Sequence, residues 1–335
     1  MGTTGKIARS TLRYAMTMRH HRRDVLTGVA AGLLGGCVPG GGATGDVPDL
    51  VWGRRGIGDG RLLKPRAITI DREDRLYLAD TTGRIARFDV DGNYQMHWST
   101  PAAANGRPTG LGFVRRVEGD PTSDRIMVAD THYYRVLFYT TDGLWRPDET
   151  IGGTAGAGPG QFAFVTDVTS STGGDCFAGE YNATDRIQRF DAGGRFIAAF
   201  GQTGQAPGQF VRPQSLMVRD NILYVADSCN HRIQRFDITD QTPTLIDVYG
   251  RPGTAAGEMF YPYGIDFLSD GNVVVVEYKN ARVQLLHPTG RPIAIWGTHG
   301  TTPGRLNQPW GVVVDSSDRV HVLDSNNHRV QRFWF

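Results

Sequence analysis

Cysteine is scarce, with Cys37, Cys176 and Cys229 the only three in 335 residues. No CxxC pair and no Cys/His spacing of the metal-ligand kind occurs, which excludes a disulfide framework and a zinc-finger scaffold. Cys176 and Cys229 are expected to be isolated thiols. Long apolar runs are missing as well. The stretch VLTGVAAGLL, residues 25–34, falls well short of the roughly 20 residues that cross a bilayer as a helix. No GK[ST] follows the glycine-rich segments such as GGTAGAGPGQF, so the phosphate-loop reading of those segments has no support. What is present is 39% hydrophobic and 10% aromatic residues with 44 glycines. That is enough apolar material for a large core and many tight turns, and it points to an all-β chain.

The first fifty residues differ from the rest. Arg22 and Arg23 precede the short apolar run, which ends in LGGC at Cys37; a basic start, a brief apolar centre and small residues before the cut predict a signal peptide. HRRDVLTG resembles a twin-arginine export signal, with Val25 in place of the usual phenylalanine, and LGGC resembles a lipobox whose cysteine, Cys37, becomes lipidated. The expected organisation is a signal over residues 1–37, a flexible linker over 38–49 and one folded domain over 50–335. It implies a periplasmic or other extracytoplasmic protein held at the membrane by its lipidated cysteine. The whole chain carries a formal charge of +2, and residues 38–335 carry −3. The basic excess therefore belongs to the signal, and the domain lacks the overall positive footprint of a nucleic-acid binder.

A repeat organises the domain. Six apolar runs end in an acid: LYLAD (Asp80), IMVAD (Asp130), CFAGE (Glu180), LYVAD (Asp227), VVVVE (Glu277) and VHVLD (Asp324), at intervals of 47 or 50 residues. Four to six residues later an arginine opens a second run: Arg84, Arg135, Arg186, Arg232, Arg282 or Arg329. Most units also begin with a G-x-F-x-x-P element, clearest in GQFVRPQSLMV and GEMFYPYGIDF. A fixed period of this length marks a repeat architecture, and short alternating runs mark strands.

The P-x-x-apolar strand, the VAD strand, the N-H-R turn and the Q-R-F strand together resemble the NHL repeat, over essentially all of residues 50–335. The resemblance implies a six-bladed β-propeller, each blade a four-stranded antiparallel sheet around a central channel. VWGRRGIGDGRLLKPRAI, residues 51–68, aligns with VYGRPGTAAGEMFYPYGI, residues 248–265, yet blade 6 reaches the last residue without an outer strand. Residues 50–53 are expected to supply that strand and close the ring.

The segment DSCNHRIQRF, residues 227–236, holds an acid, a thiol, an imidazole and a guanidinium, and DSNNHRVQRF at 324–333 nearly copies it. An acid–arginine pair made six times around a ring reads as a structural clamp, since an active site needs one convergent constellation. His231 and His328 share a column with Gly83, Tyr134, Asp185 and Ala281 and read as surface turn residues. The column after the proline varies instead: Arg66, Thr109, Thr166, Gln214, Tyr263 and Trp310. It is expected to line the channel mouth and form the ligand-binding site, with Arg66 as a donor fork for an anion and Tyr263 with Trp310 as an aromatic wall. Plugging of the channel by bulky side chains is the competing reading of the same column.

Among propellers related to the NHL family are amidating lyases, whose zinc is held by histidines of several blades, and calcium-dependent lactonases. The mouth column has no histidine, and His97, His287, His299 and His321 are scattered. No metal, no cofactor and no catalytic residue is therefore assigned. The expected role is recognition or scaffolding for a protein, peptide or glycan, with a metal-dependent enzyme of the lyase or lactonase type as the alternative.

Overall fold

The computed structural model describes residues 47–335 apart from Ala103, Val117 and Ala183. The predicted signal, Cys37 and most of the predicted linker lie outside the described residues. Six four-stranded antiparallel sheets surround a channel lined by their innermost strands: Ala67–Ile70, Gly110–Val114, Phe164–Ser170, Pro213–Arg219, Pro262–Phe267 and Val312–Val314. Each repeat interval is one blade, as the period predicts. No helix among the described residues is long and apolar enough to cross a membrane.

Packing between blades explains why the second strands are apolar on both faces. In Val273–Glu277, Val273 and Val275 enter a cluster with Tyr224 and Ile233 of blade 4, while Val274 and Val276 enter one with Val320 and Val322 of blade 6. Alternate side chains of a strand point to opposite faces, so a sheet sandwiched between two neighbours needs apolar residues at every position. Six such clusters fill the six blade interfaces.

The ring closes where the sequence places the closure. Leu50–Trp52 pairs with Arg329–Phe333, matching Leu50 to Arg332 and Trp52 to Val330, and Arg332 meets Asp49 at 2.7 Å. Trp52 is buried against Phe88 of blade 1, ring centroids 4.7 Å apart, so one tryptophan joins the last sheet to the first blade. Gly92 has φ +79°, and the Trp52 ring occupies the place of any side chain there. Glycine meets both demands.

All six acid–arginine pairs form, at 2.5 to 3.0 Å. Their reach exceeds the turn between the two strands. Asp227, fully buried, accepts the Val211 amide as well as Arg232 and Gln234, and Arg232 donates to the carbonyls of Gln205, Ala206 and Gln209. One pair thus staples the whole glycine-rich loop that enters the blade. Blades 1, 3, 5 and 6 repeat this pattern through Arg84, Arg186, Arg282 and Arg329.

The histidine column does more than cover a turn. Nδ1 of His231 accepts the amide of Tyr261 in the next blade at 3.1 Å, and Nδ1 of His328 accepts that of Lys64 at 3.0 Å. Asp185 does the same for Arg212 at 2.9 Å. Each recipient precedes the first inner-strand position and has positive φ: Tyr261 57°, Lys64 49°, Arg212 62°. The surface-turn reading is thereby replaced by an acceptor that crosses the blade boundary and fixes a strained residue.

Candidate functional site

The channel mouth on the side of the N-H-R turns is built by the first inner-strand residues and their neighbours. Arg66, Thr109, Gln214, Tyr263 and Trp310 line the cavity, which holds about 270 Å³. Thr166 is buried outside that lining and donates its hydroxyl to the Pro213 carbonyl. Thr109 shares a hydrogen bond with Thr131 at 2.7 Å.

The larger residues form an arc of five blades in which cations alternate with rings. The Arg66 guanidinium lies 5.2 Å from the Trp310 ring centroid, and Trp310 meets Tyr263 edge-on at 5.0 Å. Tyr263 stacks on Tyr278 at 4.7 Å and also faces Arg212 at 5.8 Å, which sits 4.8 Å over Tyr181. Guanidinium-on-ring contacts of this kind are favourable, and more so when desolvated.

Sequence reading missed Arg212, Tyr181 and Tyr278. Their signal lay in two columns. The position after the clamp acid is Thr81, Thr131, Ser228 and Ser325 in four blades, where a hydroxyl bonds within or across the blade boundary, but tyrosine in blades 3 and 5. Arg212 occupies the strained position before the proline, which aims it over the channel side of its blade.

Electrostatics divides the cavity by depth. Arg66 has no carboxylate partner among the described residues, and its pKa is lowered by burial and then by the nearby charge of Arg212. Deeper in the channel are Asp167 and Asp266. Asp167 accepts the Leu216 amide of the next blade at 3.0 Å and Asp266 the Val314 amide at 2.7 Å. Both line the channel half-buried, and desolvation there pushes each carboxyl up to about 7. The rim is therefore donor-rich and positive, and the interior acidic.

Comparison with known proteins agrees with this architecture. The NHL repeat model matches residues 210–236 and 306–333, the segments that carry the two N-H-R turns. Protein brain tumor of Drosophila melanogaster is 30% identical over 141 residues, 41% of this chain, and the match spans 13% of that protein's length. A streptogramin B lyase structure superposes with a TM-score of 0.57 at 16% identity, covering 83% of this chain and 95% of that one. An auxiliary nutrient binding protein from Bacteroides thetaiotaomicron gives a TM-score of 0.59 at 15% identity, covering 81% of this chain and 69% of that one. Identities this low establish the fold alone. The chain is accordingly a six-bladed β-propeller that carries NHL repeats.

Proposed function

We propose that this propeller is an exported, lipid-anchored binding or scaffolding module that engages a protein, peptide or glycan at its channel mouth. The observation that carries the reading is the contrast between columns. The acid and arginine that recur in every blade are consumed by clamps, whereas Arg66 and Trp310 at the mouth differ from their counterparts, and among the described residues the Arg66 guanidinium and the Trp310 indole N–H make no hydrogen bond. A fixed scaffold with a specialised rim is how repeat folds acquire recognition. A zinc lyase would need three protein ligands converging at the axis with a fourth position open, and among the described residues no three His, Cys, Asp or Glu side chains come together in that way.

The test is site-specific photo-crosslinking in cells from position 279, an exposed lysine on the mouth side, compared with position 270 in an exposed turn on the opposite face. Capture of one partner from position 279 alone, lost in Arg66→Ala and Trp310→Ala, supports the module. Capture from position 270, or capture that ignores both substitutions, contradicts it. For the anchor, Cys37→Ser should abolish lipid labelling and release the protein from the membrane fraction; a membrane-bound, labelled variant would refute the anchor.

A further inference from the structure

The geometry points to a definite ligand chemistry: we propose that the mouth binds a flat ring bearing a carboxylate or phosphate, its oxygens held between Arg66 and Arg212 and its ring against Trp310 and Tyr263. This rests on the reading of the mouth as the binding site and makes it specific. Three observations lead there.

The first concerns polarity. The arc offers the guanidinium groups of Arg66 and Arg212, the phenols of Tyr181, Tyr263 and Tyr278, and the indole N–H of Trp310. Among the described residues the Arg66 guanidinium makes no hydrogen bond, and Arg212 spends only its Nε, on the Gln214 side-chain oxygen at 2.9 Å. The Trp310 Nε1 is buried and without a partner among the described residues. A buried donor left unpaired is unfavourable, and a ligand oxygen that reaches it would relieve that cost. Two fork-shaped cations and an orphan N–H call for several acceptor oxygens on one small group, the pattern of a carboxylate or phosphate.

The second concerns shape. Tyr263 and Trp310 stand at 66° to one another, 5.0 Å between centroids, with Tyr278 stacked behind Tyr263 at 26°. The rigid corner suits a ring, and the cavity of about 270 Å³ has room for a substituted ring. The third concerns depth. Asp167 and Asp266 lie farther down the same cavity, so an anion is favoured at the arginine rim and disfavoured below it, which orients the ligand with its charge outward.

The experiment titrates the purified full chain with phenyl phosphate and 4-hydroxybenzoate, and in parallel with neutral 4-hydroxybenzamide and with inorganic phosphate. The readout is the indole N–H resonance of Trp310, assigned through Trp310→Phe. The two ring anions should shift this resonance and saturate, with the amide and inorganic phosphate at least tenfold weaker. Arg66→Gln and Arg212→Gln should each weaken the ring anions at least tenfold while Tm stays within a few degrees. Equal affinity for acid and amide, no response of Trp310 to either anion, or affinity unchanged in both arginine variants would each overturn the proposal. If the anions fail while crosslinking from position 279 remains sensitive to Trp310→Ala, the ligand chemistry is wrong and the binding mouth stands. Loss of both results removes the mouth reading as well.

Discussion

Nδ1 of His328, in the last blade, accepts the backbone N–H of Lys64, in the first, at 3.0 Å. The same bond joins His231 to Tyr261 two repeats earlier. The histidine of the N-H-R turn is thus an acceptor in the seam between blades, and only the neutral imidazole can play that part.

Removing that acceptor should loosen one seam. His231→Ala leaves the Tyr261 amide unpaired and takes away a ring packed 4.7 Å from Phe260 and 4.6 Å from Tyr261, a loss of about 1 to 3 kcal/mol. Urea unfolding measures it. His231→Asn, with a carbonyl acceptor and tolerance for positive φ, should recover part; equal losses for both would mean the bond is immaterial.

The histidines also set a pH dependence. Burial lowers the pKa of both His231 and His328, so the unfolded chain binds more protons in the window just below the ordinary histidine value of 6.5. Stability therefore rises with pH through that window and is lost as pH falls. Because Asp167 and Asp266 pull the other way, the readout is a difference: the melting temperature of the wild type minus that of the double variant His231→Asn, His328→Asn should rise from pH 5 to 7.5. A difference that does not change with pH would refute the assignment.

Asp167 and Asp266 act in the opposite direction. Their folded values near 7 lie above the ordinary 3.8, so the folded state holds protons the unfolded state has released, and their contribution is full below about pH 4 and lost as pH rises through about 7. Asp167→Asn keeps an acceptor for the Leu216 amide and removes the titration. The variant should lose less stability than the wild type between pH 5 and 8, read by chemical unfolding at each pH; a larger loss would contradict the burial argument.

The six clamps should not be equal. Asp227 accepts from Val211, Asn230, Arg232 and Gln234, whereas among the described residues Asp130 accepts a hydrogen bond only from Arg135, with its Oδ1 and the Arg135 Nη2 unpartnered. Breaking a fully paired buried acid costs about 3 to 5 kcal/mol. Asp227→Ala should approach that figure and Asp130→Ala fall well below it; the reverse order in urea unfolding would show that the clamp does not stabilise through these bonds.

Ring closure gives the sharpest stability contrast. Trp52→Ala should cost about 3 to 5 kcal/mol through the cavity left beside Phe88. Deleting residues 50–53 should lower Tm markedly, and deleting 38–46 should not. Equal effects of the two deletions would place the closure elsewhere.

Most of the fold was legible because it is periodic. VVVVE, RVQLL and the acid–arginine spacing state their strands and turn directly, and the alignment of residues 51–68 with 248–265 reveals that the last sheet borrows its outer strand. What escaped was contact between repeats. Nothing in the spacing of His231 shows that Tyr261, thirty residues on, will turn its amide back with φ 57°; that depends on the twist between blades. The mouth was legible in part, since Arg66, Tyr263 and Trp310 stand in a column that varies. Tyr181 and Tyr278 were overlooked because they sit in a column of structural hydroxyls, where the departure from threonine or serine is the one clue, and Arg212 because the position before the proline varies from blade to blade and its direction follows from a positive φ.

Titration of phenyl phosphate into wild type, Arg66→Gln and His231→Asn side by side, each checked for its Tm, separates rim from scaffold most directly. A loss of at least tenfold in Arg66→Gln, with His231→Asn within twofold of wild type, is the expected result. Binding that survives Arg66→Gln but fails in a folded His231→Asn would place recognition in the repeated turns and contradict the mouth as the site.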